Sequence, residues 1–248
     1  MQEESRVLRH SNGIGIHTVF AVNDRSKPTL LFLPGMPGIA EEGFACLAPC
    51  LKQGFNVASI SFRGRGQSST PEVGYTFDDH VDDLKLVLQE LDCSKVVLVA
   101  NSISTIYAVK YLLRGTTNPV VGLVIADHPL KVNKLREGWA DDFAQITVRG
   151  ESVLQNMRKL AMTRIELESE AIDMYADFES LRRPTVVMVP QMSKGILKEQ
   201  DIVLFARQKC TEIIHFEKSD HIIRYCEPEK FRNEIVKFAS KCFSQKHG

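Results

Sequence analysis

The chain has 248 residues, and its 31 Lys plus Arg offset 31 Asp plus Glu, giving a formal charge of zero. That balance argues against a phosphate-tracking nucleic-acid binder, which carries a basic excess. With 44% hydrophobic and 25% charged residues the composition is that of an ordinary globular protein able to bury a sizeable core, which rules out disordered or collagen-like classes.

No apolar run approaches the roughly 18 residues of a membrane span, and the start MQEESRVLRH lacks a signal peptide's apolar stretch, so the expected address is the cytosol. Six cysteines (Cys46, Cys50, Cys93, Cys210, Cys226, Cys242) form no CxxC or Cys/His pattern of zinc-finger type and read as reduced thiols. Cys46 and Cys50, one helical turn apart, read as small helix residues facing inward rather than as metal ligands.

In chain order, Arg6 to His10 and Ile14 to Val22 flank the turn signal Ser11-Asn12-Gly13 and predict an opening hairpin. Thr29 to Leu33 is a buried strand ending at Pro34-Gly35-Met36-Pro37-Gly38. Ala40 to Gln53 has helical spacing, Phe55 to Phe62 is a second apolar strand, and Arg63 to Ser68 is a glycine-rich turn. Asp78 to Leu91 alternates acidic and apolar residues at helical period, its Asp78, Asp79, Asp82 and Asp83 favouring the helix start and facing solvent. Lys95 to Ala100 is a short strand running into Asn101-Ser102-Ile103-Ser104, and Tyr107 to Leu113 continues as helix. Val120 to Asp127, Pro184 to Val189 and Glu212 to Phe216 are further strands, with helices over Leu197 to Gln208 and Pro228 to Phe243. Strands alternating with helices predict an α/β fold with a mainly parallel central sheet and helices on both faces. Leu130 to Arg183 breaks the alternation with amphipathic helical pattern and reads as a small helical cap inserted after the sixth strand. The domain division is therefore core 1–129 and 184–248, with cap 130–183.

The sharpest local feature surrounds Ser102. A nucleophile elbow needs small residues two places before and after the nucleophile, because its tight turn presses those backbones against neighbouring elements. Here they are Ala100 and Ser104, in a strand-turn-helix context.

Four motifs in order make the chain resemble the α/β-hydrolase superfamily from Thr29 to about Leu113 and from Pro184 to Phe243. Leu33-Pro34-Gly35-Met36-Pro37-Gly38 is similar to the HGxPG oxyanion loop, with Pro34 for His. Phe62 to Ser68 is similar to the DxRGxGxS turn, with Ser61 for Asp. The Ser102 elbow is the third. Ser219-Asp220-His221 followed by Glu227 to Phe231 resembles the ending that carries the catalytic His. The resemblance implies the α/β-hydrolase fold, Ser102 as nucleophile, and His221 as base on the same sheet edge. Backbone amides of Met36 and Ile103 are implied as the oxyanion hole, with Gly35 and Asn101 beside the substrate. Met157 and Met162 are expected to contribute from the cap.

An imidazole suits the base role because it titrates near neutral pH. His10 and His17 fall in the opening hairpin, His80 begins a helix, His215 lies within a strand and His247 in the tail. His128 also follows a strand end and remains the alternative. Arg63 and Arg65 are read as braces of the loop rather than as anion ligands.

The family's acid position after the strand following the cap is occupied by Ser193, and no carboxylate follows until Glu199. Asp127, ending the preceding strand, is the leading candidate. Asp220, Glu199 and a dyad without an acid stay open.

The expected function is cofactor-free serine hydrolysis of a carboxylic ester, thioester or lactone through an acyl-enzyme, with no metal. The expected partner is a small-molecule substrate with an acyl group, and an acyl-carrier partner is compatible with that chemistry. Nothing sets the oligomeric state. The alternatives are carbon-carbon bond hydrolysis or lyase chemistry on the same site, or a ligand-binding member without turnover.

Overall fold

The computed structural model describes residues 3–22, 24–115, 120–191 and 193–244; His247 lies outside them. Its main sheet contains β1 (Glu4–Arg9), β2 (Gly15–Ala21), β3 (Thr29–Leu33), β4 (Asn56–Ser61), β5 (Val96–Asn101), β6 (Val120–Ala126), β7 (Thr185–Pro190) and β8 (Thr211–Phe216). The spatial order is β1-β2-β4-β3-β5-β6-β7-β8. β2 runs antiparallel to β1 and β4, and every later pairing is parallel. Every residue of β3 to β7 is buried, as strands covered by helices on both faces require; β3, β5, β6 and β7 are mostly apolar, while β4 also buries Asn56, Ser59 and Ser61. The β1 and β8 edges expose more of their residues.

The helices are α1 (Ala40–Leu47), α2 (Phe77–Leu91), α3 (Ser104–Leu113), α4 (Trp139–Ala144), α5 (Lys159–Glu168), α6 (Tyr175–Ser180), α7 (Glu199–Phe205), α8 (Ile223–Cys226) and α9 (Pro228–Ser244). Leu84 and Val87 of α2, Ile106 of α3 and Phe178 of α6 share one apolar cluster with Leu98 and Ile125 of the sheet. Phe44 and Leu47 of α1 and Phe231 and Ile235 of α9 pack with Phe32 and Val97 on the opposite face. Each such burial contributes about 1.5–3 kcal/mol, so both faces are held mainly by apolar contact.

α2 starts at Thr76, whose hydroxyl accepts from the Asp79 amide while the Asp79 carboxylate accepts from the Thr76 amide. Asp78 and Asp82 pair with Arg114 on the outer face. Asp83 departs from the solvent-facing expectation: it is fully buried, accepting from Arg63 at 2.6 and 2.9 Å and bonded to His10 at 2.9 Å. Its helical position, three after His80 and four before Val87, puts it on the face that packs inward.

Between β6 and β7 the chain leaves the sheet. α4, α5 and α6 alternate with short ribbons pairing Lys131–Val132 with Ile172–Asp173 and Thr147–Val148 with Glu151–Ser152. This segment has its own apolar cluster, including Val153, Met157, Met162 and Ile165, closed by Tyr75 from the sheet side. It is stitched to the glycine turn by the Gly66 amide on the Asn156 carbonyl (2.7 Å) and the Arg158 amide on the Gly64 carbonyl (3.0 Å). All six cysteines are free; burial pushes the Cys46 and Cys50 thiols up to about 11, so both stay protonated and packed.

Candidate active site

Ser102 occupies the turn between β5 and α3 with φ +57°, a left-handed conformation that costs a non-glycine residue about 1–2 kcal/mol. The turn is held on both sides: the Ser102 amide donates to the Ala126 carbonyl (3.0 Å), and its carbonyl accepts from the Thr105 amide (2.9 Å). Ser104 is fully buried, and its Oγ accepts from the Asn101 amide (3.0 Å) while donating to the Leu33 carbonyl (2.7 Å). The serine thereby ties the end of β5 to the end of β3. Gly35 lies directly against the elbow, since a Cβ there would sit 3.1 Å from Ser102 Cβ and 3.2 Å from Asn101 Nδ2.

Three side chains from three distant segments meet at this edge of the sheet. Ser102 Oγ lies 3.1 Å from His221 Nε2, and His221 Nδ1 lies 2.7 Å from Asp127 Oδ2. A carboxylate only accepts, so Nδ1 carries the proton and Nε2 offers its lone pair to the serine hydroxyl. Asp127 is fully buried just past β6, and its two oxygens accept from the amides of Ile196 (3.1 and 2.9 Å) and Leu197 (3.1 Å) as well. Those bonds compensate the desolvation of a buried carboxylate and aim it. His221 is in turn fixed by its own amide, which donates to the Lys194 carbonyl at 3.2 Å.

The other acid candidates are engaged elsewhere. Asp220 is exposed and accepts from the Ile222 amide (2.7 Å) and Cys226 Sγ (3.3 Å), and Glu199 is exposed in the first turn of α7. Ser193 is exposed in the turn closed by the Lys194 amide on the Gln191 carbonyl (2.8 Å).

Met36 and Ile103 line the same cavity as Ser102. The Gly35–Gly38 turn is closed by the Gly38 amide on the Gly35 carbonyl (3.0 Å), and the Met36 carbonyl accepts from Arg65 Nε (3.1 Å). Arg65 is itself buried. Its Nη1 donates to the Arg63 carbonyl (2.6 Å) and to His80 Nε2 (2.7 Å), while His80 Nδ1 donates to the Thr76 carbonyl (2.7 Å). Burial first, and the Arg65 charge second, push His80 down to about 3, which keeps it a neutral acceptor for the arginine. Both arginines are thus engaged inside the protein, Arg63 with Asp83, Asp79 and the Gly74 carbonyl, and Arg65 with the carbonyls of Arg63 and Met36.

The cavity has a volume of about 260 Å³. Tyr75, Phe77 and Tyr107 wall it from the sheet side, and Trp139, Phe143 and Ile165 from the segment between β6 and β7. Sequence reasoning missed these aromatics, because Tyr75 and Phe77 flank the start of α2 and are brought to Ser102 only by the tertiary fold. The Tyr75 hydroxyl is buried without a partner among the described residues. Met157 and Met162, expected to line a substrate pocket, are instead fully buried in the apolar cluster of their own segment, and neither reaches the cavity wall. They supply the inward face that an amphipathic helical segment needs. Gly35 and Asn101 likewise lie beneath the elbow rather than in the wall; Asn101 is 5% exposed. Among the described residues no group of three His, Cys, Asp or Glu could hold a metal ion.

Comparison with known proteins agrees with this architecture. The chain is 35% identical over 88 residues to the AB hydrolase superfamily protein YisY of Bacillus subtilis (strain 168), covering 36% of this chain and 33% of that protein. It is 29% identical over 101 residues to the bifunctional esterase/perhydrolase DCH of Acinetobacter calcoaceticus, covering 41% of this chain and 37% of that protein. The matches thus span about a third of the length of these curated relatives. Among solved structures, the esterase EaEST from Exiguobacterium antarcticum superposes with a TM-score of 0.79 at 19% identity, covering 96% of this chain and 100% of that one. Residues 28–191 match the family described as alpha/beta hydrolase fold, a stretch that holds the Gly35 loop, the Ser102 elbow and Asp127, and the chain belongs to that family.

Proposed function

We propose that this protein is a serine hydrolase that cleaves a carboxylic ester, thioester or lactone through an acyl-enzyme, without a cofactor. The observation that carries the reading is the unbroken relay Ser102 Oγ, His221 Nε2, His221 Nδ1, Asp127 Oδ2, with steps of 3.1 and 2.7 Å, opening on one apolar cavity. Ser102 attacks the substrate carbonyl as His221 takes its proton, and Asp127 holds the imidazole in the required tautomer and stabilises the imidazolium. The Met36 and Ile103 amides meet the developing oxyanion. His221 then returns the proton to the leaving alcohol, thiol or lactone oxygen, and activates a water that releases the acid and frees Ser102.

The segment 130–183 acts as the cap on the core 1–129 and 184–248, because Trp139, Phe143 and Ile165 complete the wall facing Ser102. A wall so rich in aromatic and aliphatic groups favours an apolar acyl group of small to medium size, which an acyl-carrier thioester could also present. No helix among the described residues is long and apolar enough to cross a membrane, and a cytosolic setting is part of this reading.

Steady-state hydrolysis of p-nitrophenyl esters from acetyl to decanoyl tests it. Wild-type turnover should fall to background in Ser102→Ala and His221→Ala, and by about 10³-fold or more in Asp127→Asn. Turnover that survives Ser102→Ala, or fluorophosphonate labelling that persists in that variant, would remove Ser102 from the role.

A further inference from the structure

We propose that His128 is a substrate-recognition residue whose Nε2 accepts a hydrogen bond from a hydroxyl or amide N–H on the substrate, close to the scissile carbonyl. The assignment rests on the serine-hydrolase reading of the cavity. It concerns a residue that the relay leaves unused, although it adjoins Asp127 in the chain and shares the cavity wall with Ser102.

The tautomer follows from one contact. His128 Nδ1 lies 2.8 Å from the Pro129 carbonyl, which can only accept, so Nδ1 holds the proton. Nε2 then carries a lone pair. It makes no hydrogen bond with the described residues, and it is not among the polar atoms sealed off from any surface, so it is the edge of the ring left to face the cavity. Burial pushes His128 down to about 4, and the nearby His221 acts in the same direction. Near neutral pH the ring is therefore an uncharged acceptor.

Among the other polar groups of the wall, the Tyr75 hydroxyl is sealed from the cavity surface without a partner among the described residues, and Glu168, Ser169, Asn133 and Glu170 are committed or peripheral. The Glu168 carboxylate accepts from the amides of Gly74 (3.0 and 3.2 Å) and Tyr75 (2.7 Å). Ser169 Oγ accepts from the Leu135 amide (3.0 Å) and donates to the Glu166 carbonyl (2.7 Å). Asn133 and Glu170 are exposed at the rim. His128, 6% exposed, is a buried acceptor whose free lone pair reaches the cavity surface among mainly aromatic and aliphatic side chains. In such a site an acceptor left unpaired by the substrate is penalised, so a ligand supplying a donor is selected over its isostere without one.

The test uses matched pairs differing by one hydroxyl: p-nitrophenyl butanoate against its 2- and 3-hydroxy derivatives, and propyl butanoate against 2-hydroxyethyl butanoate. Wild type should favour one hydroxylated member by about 5- to 10-fold in kcat/KM, the range of a single neutral hydrogen bond. His128→Phe, which keeps a ring but removes the acceptor, should lose that preference through KM, the hydroxylated member falling by more than the unsubstituted ester. His128→Gln, which restores an acceptor, should recover part of it. A binding assay separates this idea from the hydrolase reading. Trp139, the only tryptophan of the chain, lines the cavity, so its fluorescence reports occupancy in Ser102→Ala protein titrated with butanamide and its 2- and 3-hydroxy derivatives. Donor-dependent binding that disappears in the Ser102→Ala/His128→Phe protein supports the assignment even if no ester is turned over. Equal losses on both members of each pair, a preference that survives His128→Phe, or no donor preference in either assay overturns it.

Discussion

Acidification should destabilise this protein well above the pH at which its carboxylates titrate, because two imidazoles are buried in their neutral form. Burial and neighbouring charge put His80 at about 3 and His128 at about 4 in the fold, against 6.5 for an unperturbed histidine. A base with a depressed folded pKa leaves the unfolded chain binding more protons, so stability is fully present above about pH 6.5 and is lost as pH falls towards the folded values. Each histidine contributes a slope of about 1.4 kcal/mol per pH unit in that window, so the pair removes about 4 kcal/mol between pH 7.5 and pH 5, a large share of a typical 5–15 kcal/mol. His17, fully buried and also shifted down by burial, adds in the same direction. Urea unfolding followed by circular dichroism from pH 7.5 to pH 5 reads the loss directly. With a slope of about 3 kcal/mol per molar urea the midpoint should fall by more than about 1 M. His128→Phe should remove close to half of the dependence. A midpoint constant to within about 0.2 M over that range would refute the reasoning, since it would mean that neither imidazole is desolvated as the fold places it.

Gly195→Ala puts a Cβ 2.5 Å from Pro190 Cγ and 2.9 Å from Asp127 Oδ1, so the loop donating the Ile196 and Leu197 amides must shift. We expect about 1–3 kcal/mol of destabilisation and a larger fall in kcat than in KM, measured by thermal melts and ester kinetics. Ser104→Ala leaves the Asn101 amide and Leu33 carbonyl without their bridging hydroxyl and should cost about 1–3 kcal/mol, a fall in Tm of roughly 2–10 °C for a chain of this size. An unchanged melting temperature would show that the serine is a passive glycine substitute.

The sheet is legible in the sequence because β3, β5, β6 and β7 are buried on both faces, which leaves nearly continuous apolar runs that no surface helix would show. The Ser102 turn is legible because its geometry restricts residue size locally. Asp83 defeats a reading that infers solvent exposure from charge, since a buried arginine and a histidine supply it with partners that sequence spacing does not reveal. Met157 and Met162 defeat it for a related reason: apolar periodicity marks a face that is buried but does not say whether a core or a cavity lies beyond it. The cavity aromatics and the free lone pair of His128 depend on contacts between distant segments, and the latter also on a single hydrogen bond to Pro129.

The departure at Ser193 tests whether a triad acid is defined by its loop or by its hydrogen bonds. β6 and β7 are neighbours in the sheet, and the Asp127 amide donates to the Met188 carbonyl of β7 (3.1 Å), so the end of β6 lies beside the position the family pattern assigns to the acid. The loop after β7 does not supply a carboxylate; it supplies the Ile196 and Leu197 amides that receive one, and the Lys194 carbonyl that receives the His221 amide. Restoring the family residue should therefore not restore the relay. In Asp127→Asn/Ser193→Asp protein the new carboxylate would start from an exposed turn, where water weakens its field and no amides aim it, while the existing amides still bind the carboxamide at position 127. We expect kcat on a p-nitrophenyl ester to stay within about tenfold of Asp127→Asn alone, far below wild type. Recovery to within about tenfold of wild type would show that a carboxylate after β7 reaches His221 without the amide cradle, and that the hydrogen bonds around Asp127 serve the loop rather than the imidazole.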